Sequence, residues 1–354
     1  MDFRERAYNK MQEVVTNGKN NVGQFLTDIA REFDVRRDFI AKPRVIDYDV
    51  TDGRIVPIVN EERLNLTPHS EGQMYGRLGI PKTYGERLLE LGETELLHNN
   101  LKRMTQRNSE EGTLFRVVDG SIKGWLSTSY KRMDASPIFS EYIQTMLNLG
   151  FVPQRGSNTT YRYHLAFLMP EVIELVPNEF VVFGSSITTG DYGSVALSME
   201  EYIMRVICTN MMIGTNAFRK IHIGKRFDSD TNTAYASLSN ETHRKDSEAI
   251  ASAVKDVTLG AKFRIEALAK SVKENVSKDI NINQAIAELK KSGIPKKVTE
   301  AVQTVYEQDA INELLPPSRG AWRLSNAISL VAQSQPPDLQ LDMEKEAMGL
   351  LTGK

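Results

Sequence analysis

The residues best suited to metal or nucleophile chemistry are five histidines and one cysteine, and their spacing argues against both uses. His69, His98, His164, His222 and His243 lie far apart, and none forms a close ligand pair with another or with Cys208. Zinc is therefore not expected, and Cys208 reads as a small core thiol. Asp228-Ser229-Asp230-Thr231-Asn232 opens like a calcium loop, but Thr233 stands where glycine makes the sharp turn and Ser239 where the bidentate glutamate belongs. The stretch from Gly184 to Gly190 has the wrong length for a phosphate-cradling loop, no Lys-Ser or Lys-Thr follows it, and G-x-G-x-x-G is absent. No G-x-S-x-G elbow and no spaced carboxylate cluster stands out for hydrolysis or two-metal chemistry. The expectation is a protein without cofactor or metal, and not an enzyme.

What remains is a set of cations interleaved with aromatic rings. Lys123, Lys131, Arg132, Arg162, Arg219, Lys220, Lys225 and Arg226 fall on strands or strand ends of one predicted sheet, with Trp125, Tyr130, Tyr161 and Tyr163 among them. Cations that follow phosphates and rings that stack on bases are the ingredients of sequence-tolerant single-strand binding. The same pattern arises without a ligand when strand alternation turns the aromatics into the core and leaves the cations on a solvated face. At the level of sequence both readings stay open.

The elements that would position these residues centre on Phe180 to Phe227. Phe180 to Ser186 and Ser194 to Leu197 read as strands, and Gly190 and Gly193 flank Asp191 in a turn that favours a hairpin. Ser198-Met199-Glu200-Glu201 fits a capping box, a motif whose Ser cap alone contributes roughly 1 kcal/mol. It predicts a helix whose apolar stripe is Met199, Ile203, Val206, Ile207 and Met211, stopping at Gly214. Phe218 to Phe227 follows as a basic strand.

Upstream, Val22 to Phe33 is an amphipathic helix, preceded by a weaker one over Phe3 to Val15. Arg44 to Val59 is a hairpin turning at Thr51-Asp52-Gly53. Thr67-Pro68 starts a helix that breaks at Leu78-Gly79-Ile80-Pro81 and resumes over Lys82 to Leu91. That pair has the length of a DNA-reading helix-turn-helix, but Lys82-Thr83-Tyr84-Gly85-Glu86-Arg87 carries little that reads base edges, so core packing is the expectation. Leu114 to Val118 and Ile122 to Leu126 flank the hairpin turn Asp119-Gly120. A helix opening at Ser136-Pro137 and a half-exposed strand from Tyr161 to Met169 come next. The predicted order is hairpin, helix, strand, hairpin, helix, strand, which argues for an α+β fold on a mainly antiparallel sheet with packed helices. From Asn240 onward the chain reads as an all-helical region: one long or broken helix to Lys278, then Ile282 to Lys291, Pro295 to Gln308, Ala321 to Ala332 and a short tail helix.

This organisation predicts three parts: 1–110, mostly helical with a hairpin; 111–239, the α+β core; and 240–354, helical. A chain of 354 residues buries a substantial core without staples. Its formal net charge of −2 gives no global pull toward nucleic acid, so any polyanion site has to be a local patch. One cysteine excludes an intramolecular disulfide. Met1-Asp2-Phe3-Arg4-Glu5-Arg6 is charged from the start and no apolar run approaches the ~20 residues of a membrane span, so a cytoplasmic protein without a membrane partner is expected.

Four segments carry a resemblance: Gly76-Arg77-Leu78-Gly79-Ile80-Pro81-Lys82-Thr83-Tyr84, Leu126-Ser127-Thr128-Ser129-Tyr130-Lys131-Arg132-Met133-Asp134, Tyr202-Ile203-Met204-Arg205-Val206-Ile207-Cys208-Thr209-Asn210-Met211-Met212 and Ala321-Trp322-Arg323-Leu324-Ser325-Asn326-Ala327. In order and spacing the chain resembles the phage- and plasmid-encoded proteins of domain-of-unknown-function family 932, from Asn65 to Leu351. It departs where that family has Asn-Gly after Cys-Thr and this chain has Asn210-Met211. The resemblance implies an accessory protein of a mobile element but assigns no activity. More distantly, the element order resembles the Redβ and Erf class of single-strand annealing proteins, which form rings and need no ATP.

The resulting expectation is an ATP-independent protein that binds and anneals single-stranded DNA as a homo-oligomer in the host cytoplasm. Lys131, Arg132, Arg162, Arg219, Lys220, Lys225 and Arg226 would hold phosphates, and Trp125, Tyr130 and Tyr161 would stack bases. The alternative is a protein-interaction module, a counter-defence or structural accessory protein, which the mild acidity and the helical C-terminal region favour. A helix-turn-helix regulator is a third reading.

Overall fold

The computed structural model describes residues 3–51, 53–107, 112–128, 130, 133–206, 209–220, 240–308, 315–316 and 320–352. In chain order, helix α1 (Phe3–Val35) leads into β1 (Arg37–Ala41), the hairpin β2 (Ile46–Thr51) and β3 (Arg54–Val59), and the short strands β4 (Glu62–Arg63) and β5 (Asn65–Leu66). Helices α2 (Pro68–Leu78), α3 (Lys82–Glu90) and α4 (Thr94–Arg107) precede the hairpin β6 (Thr113–Val118) and β7 (Ser121–Ser127). Helix α5 (Ala135–Asn148) is followed by β8 (Val152–Asn158), β9 (Tyr163–Leu168), β10 (Ile173–Val176), β11 (Glu179–Thr189), β12 (Leu197–Arg205) and β13 (Asn210–Lys220). The remaining described elements are helices: α6 (Asn240–Leu259), α7 (Ala261–Asn275), α8 (Ile282–Lys291), α9 (Lys296–Glu307), α10 (Ala321–Ala332) and α11 (Pro337–Thr352). The fold is α+β, with mainly antiparallel sheets and an all-helical C-terminal region. Among the described residues no helix is long and apolar enough to cross a membrane.

The largest sheet runs β13-β12-β11-β9-β8, with β10 also paired to β11. Both of its faces are covered. Tyr163, Leu165, Phe167, Val181, Phe183, Ile187, Met199 and Ile203 join one core with α5 and the C-terminal helices. Ala166, Leu168, Val182, Tyr202 and Met204 join another with the first half of α1. Burial on two sides is what a near-continuous apolar run such as Phe180-Val181-Val182-Phe183 requires. A second region, built from β2, β3, α2, α4 and the β6–β7 hairpin, has its own core around Tyr48, Val59, Met74, Tyr75, Phe115 and Trp125.

Several expectations change here. Leu197–Arg205 is strand β12, not the start of a helix, and Met211 lies on β13. Of the basic strand expected over Phe218 to Phe227, the part to Lys220 closes β13 and the remainder lies outside the described residues, as does Cys208. β8 and β10, unanticipated from the sequence, precede and follow β9 in the chain, and the second half of the expected order, hairpin, helix and strand, is three antiparallel strands, β11, β12 and β13. β9 is buried along its whole length rather than half-exposed.

The two N-terminal helices are one, α1, despite Gly18. A Cβ at Gly18 would lie 2.5 Å from the Pro153 carbonyl oxygen and 2.7 Å from that of Gln154, so the glycine lets α1 sit against β8. Three residues on, the Asn21 side chain accepts a hydrogen bond from the Gly156 N–H. Because the clash is with backbone, Gly18→Ala is expected to destabilise the fold by about 2 kcal/mol in spite of alanine's better helix propensity. Urea unfolding reads this, and a stabilised variant would refute the close approach.

Candidate nucleic-acid interface

Strand register brings part of the proposed cation set to one end of the large sheet. Arg219 lies opposite Ser198 and Lys220 opposite Leu197; Ser198 lies opposite Thr188, Thr188 opposite His164, and His164 opposite Ser157. Tyr161 and Arg162 enter β9 at that same end. The rim from Arg162 to Arg219 spans three interstrand steps, about 14 Å. Arg219 and Lys220 are exposed. Tyr161 is half-buried and stacks on the His69 ring at 4.4 Å between centroids, with the Arg162 guanidinium 5.8 Å from its ring.

Arg162 is already engaged. Its Nε lies 3.1 Å from Asp338 Oδ1 and its Nη1 3.3 Å from Asp342 Oδ1, both on α11. The same helix sends Glu344 to Arg155 in a two-pronged contact of 3.0 and 2.7 Å, and Lys345 to Glu200 at 2.7 Å. Beneath this cover His164 Nδ1 pairs with Thr188 Oγ1 at 2.9 Å. Burial, aided by Arg155, pushes the His164 pKa well below the usual imidazole range and keeps the ring neutral. Polar residues thus fill the rim half of this sheet face, and α11 matches them charge for charge.

Three candidates sit elsewhere than expected. Lys123 belongs to β7, in the separate sheet ordered β1-β6-β7-β5. Its ammonium pairs with Glu32 and lies 5.5 Å from the Tyr192 ring centroid. Glu32 also accepts from Tyr163 Oη at 2.6 Å and Tyr192 Oη at 2.8 Å. Burial works to raise the Glu32 carboxyl, but these hydrogen bonds, led by that from Lys123, hold it below the usual carboxylate range. Trp125 is 2% exposed, set edge-on to Phe115 at 4.6 Å and parallel to Tyr48 at 6.3 Å. Tyr130 is 7% exposed, under the Arg116 guanidinium at 5.9 Å. Neither Trp125 nor Tyr130 presents a face on which a base can stack, because each completes a hydrophobic cluster. Lys131, Arg132, Lys225 and Arg226 lie outside the described residues.

The loop after β11 plugs the junction between the two regions. Arg36 donates to Asp134 Oδ1 and to Asp191 Oδ2, each at 2.6 Å. Arg116 grips Asp38 at 2.9 and 2.7 Å and the Asp191 carbonyl at 2.6 Å. Gln73 and His69 both reach the Tyr192 carbonyl, at 2.7 and 3.1 Å. This network reads as a clasp between the two regions, and among the described residues no cluster of His, Cys, Asp or Glu is arranged to hold a metal.

The α2–α3 pair packs its apolar face into the second core. Thr67 and Ser70 cap α2 reciprocally, Met74, Tyr75, Leu78, Ile80 and Leu88 are buried, and Arg87 on α3 pairs with Glu90 at 3.0 Å. Sequence reasoning passed over Arg155, whose signal, a lone Arg on a polar strand, is weak. It also passed over four lysines in Lys290-Lys291-Ser292-Gly293-Ile294-Pro295-Lys296-Lys297, whose signal is plain once charge is counted in short windows. No family model, curated protein or solved structure matches this chain.

Proposed function

We propose that this protein binds single-stranded nucleic acid through the rim of its large sheet and promotes annealing without nucleotide hydrolysis, as a homo-oligomer. The observation that carries the reading is the register, which sets the exposed Arg219 and Lys220 on the sheet end that also holds Arg162 and Tyr161. Cations about 14 Å apart along such a rim suit a backbone whose phosphates recur every few ångströms. Annealing then needs no bond chemistry: neutralised strands held extended let complementary bases meet.

The test is fluorescence anisotropy of a labelled oligonucleotide at low and moderate salt, with duplex as control. The expected result is preferential single-strand binding whose log–log salt slope is about −0.7 per contacted phosphate. Absence of binding at low salt sinks the reading. The second reading, a protein-interaction module that binds no nucleic acid, is favoured by the burial of Trp125 and Tyr130 and by the pairing of Arg162 with α11. It predicts that flat titration.

A further inference from the structure

The sequence Gly-Ile-Pro-Lys occurs twice, and both copies fold into the same corner between two helices. Between α2 and α3, Gly79 adopts φ 66°, and between α8 and α9, Gly293 adopts φ 91°. The following isoleucine is buried in each, Ile80 and Ile294. Its N–H closes the first helix, to the Tyr75 carbonyl at 3.0 Å and the Leu289 carbonyl at 3.2 Å. The proline carbonyl then accepts from the next helix, from Tyr84 at 3.0 Å and from Val298 at 2.9 Å. Glycine for the left-handed turn, isoleucine for the anchor and proline for the restart are what the corner requires.

The two corners differ in charge. The first carries one lysine after its proline, Lys82, which faces Glu86 at 3.7 Å. The second carries Lys290, Lys291, Lys296 and Lys297, all exposed, with no acidic residue between Leu289 and Thr299. Lys290 and Lys291 end α8, where cations suit the helix dipole, but Lys296 and Lys297 open α9, where they oppose it. Nothing local offsets that placement: α9 has no acidic residue in its first turn and no side-chain cap. Among the described residues Lys296 pairs with Glu300, at 3.7 Å, with both side chains well exposed, a pairing that contributes little. Since the first corner forms with a single lysine, the lysine excess of the second is not a requirement of the fold.

We propose that the α8–α9 corner is a second contact for the phosphodiester backbone of single-stranded nucleic acid, additional to the sheet rim. This rests on the function proposed above and adds a site to it. The corner offers four exposed ammonium groups and no ring or side-chain amide for reading bases, so its contribution is independent of sequence. A chain of net charge −2 can hold a polyanion only through such local concentrations of positive charge.

The test compares three full-length proteins with a fluorescein-labelled oligothymidylate across a salt series: wild type, Lys290→Gln/Lys291→Gln/Lys296→Gln/Lys297→Gln, and Lys19→Gln/Lys255→Gln/Lys262→Gln/Lys273→Gln. All substituted positions are exposed, and thermal melts check that the fold is intact. The corner variant is expected to lose at least tenfold in affinity at low salt and to flatten the log–log slope by up to about 2.8, one contacted phosphate per lysine. The scattered variant, with the same change in net charge, is expected to lose less than threefold. A corner variant that binds like wild type, or no worse than the scattered variant, overturns this proposal while leaving the rim reading standing. A wild-type protein that does not bind the probe overturns the rim reading itself.

Discussion

Replacing Arg36 by methionine is expected to cost about 3–5 kcal/mol of folding stability, the scale of removing one partner from a buried ion pair. Only 4% of the Arg36 side chain is exposed, and its guanidinium links Asp134 on the approach to α5 to Asp191 in the loop after β11. Methionine fills the space of the aliphatic stem and leaves two buried carboxylates without this cation. Asp191→Asn should behave differently, because the cluster holds three carboxylates, Asp38, Asp134 and Asp191, against two guanidinium groups, Arg36 and Arg116. Among the described residues Asp191 Oδ1 has no hydrogen-bond partner. Burial pushes the Asp191 carboxyl above the usual aspartate range, against the pull of Arg36 and Arg116. A carboxyl whose pKa is raised on folding binds its proton more tightly in the native state. Its contribution to stability is therefore complete below the unfolded pKa and declines as pH rises through the native one. Urea unfolding between pH 4 and 8 should show this decline in the wild type and a flatter profile in Asp191→Asn. An Arg36→Met variant within about 1 kcal/mol of wild type would show that the clasp is not what joins the two regions.

How much of this was legible in the sequence depended on whether the deciding partner lay nearby in the chain. The corners at Gly79 and Gly293, the Thr67 cap and the Asp119-Gly120 hairpin are settled by residues a few positions apart, and the sequence shows them. Ser198 to Arg205 is the counter-example. Met199 and Ile203 are four apart, as on a helix, yet they equally share one face of a strand while Tyr202 and Met204 take the other. Glu200 and Glu201, read locally as part of a capping box, point to opposite faces of β12 and meet Lys345 and Arg264. Neither partner is within sixty residues, so no local window contains the cations that allow a strand to bury two consecutive glutamates. The rim was half legible for the same reason. Arg162, Arg219 and Lys220 fall on strands or strand ends of one sheet by sequence, but their shared end comes from the register, and the occupation of Arg162 by Asp338 and Asp342 comes from a helix at the other end of the chain. Trp125 and Tyr130 were misplaced because an aromatic on a strand has two faces to choose from, and the second core around Tyr48 and Phe115 claimed theirs.

Arg219→Glu/Lys220→Glu should weaken oligonucleotide binding by about two orders of magnitude at low salt, counting about 1.5 kcal/mol for each charged contact removed. Both side chains are exposed at the end of β13, so melting temperature should hardly move. Asp338→Asn/Asp342→Asn should act in the opposite direction. Those carboxylates hold Arg162 from 3.1 and 3.3 Å, and a phosphate that uses Arg162 has to compete with them. Neutralising the pair releases that guanidinium to the rim, so binding should tighten several-fold and the salt slope should steepen by about 0.7, one further phosphate. The first variant lowers the chain's charge by about four and the second raises it by about two, so generic attraction alone would also separate them in affinity. Position is read from the slope of Asp338→Asn/Asp342→Asn combined with Arg162→Gln. If α11 acts by covering Arg162, the extra 0.7 vanishes in the triple variant while the general gain in affinity persists. If the slope is unchanged by the loss of Arg162, the acidic helix tunes only the overall field and the rim ends at β13.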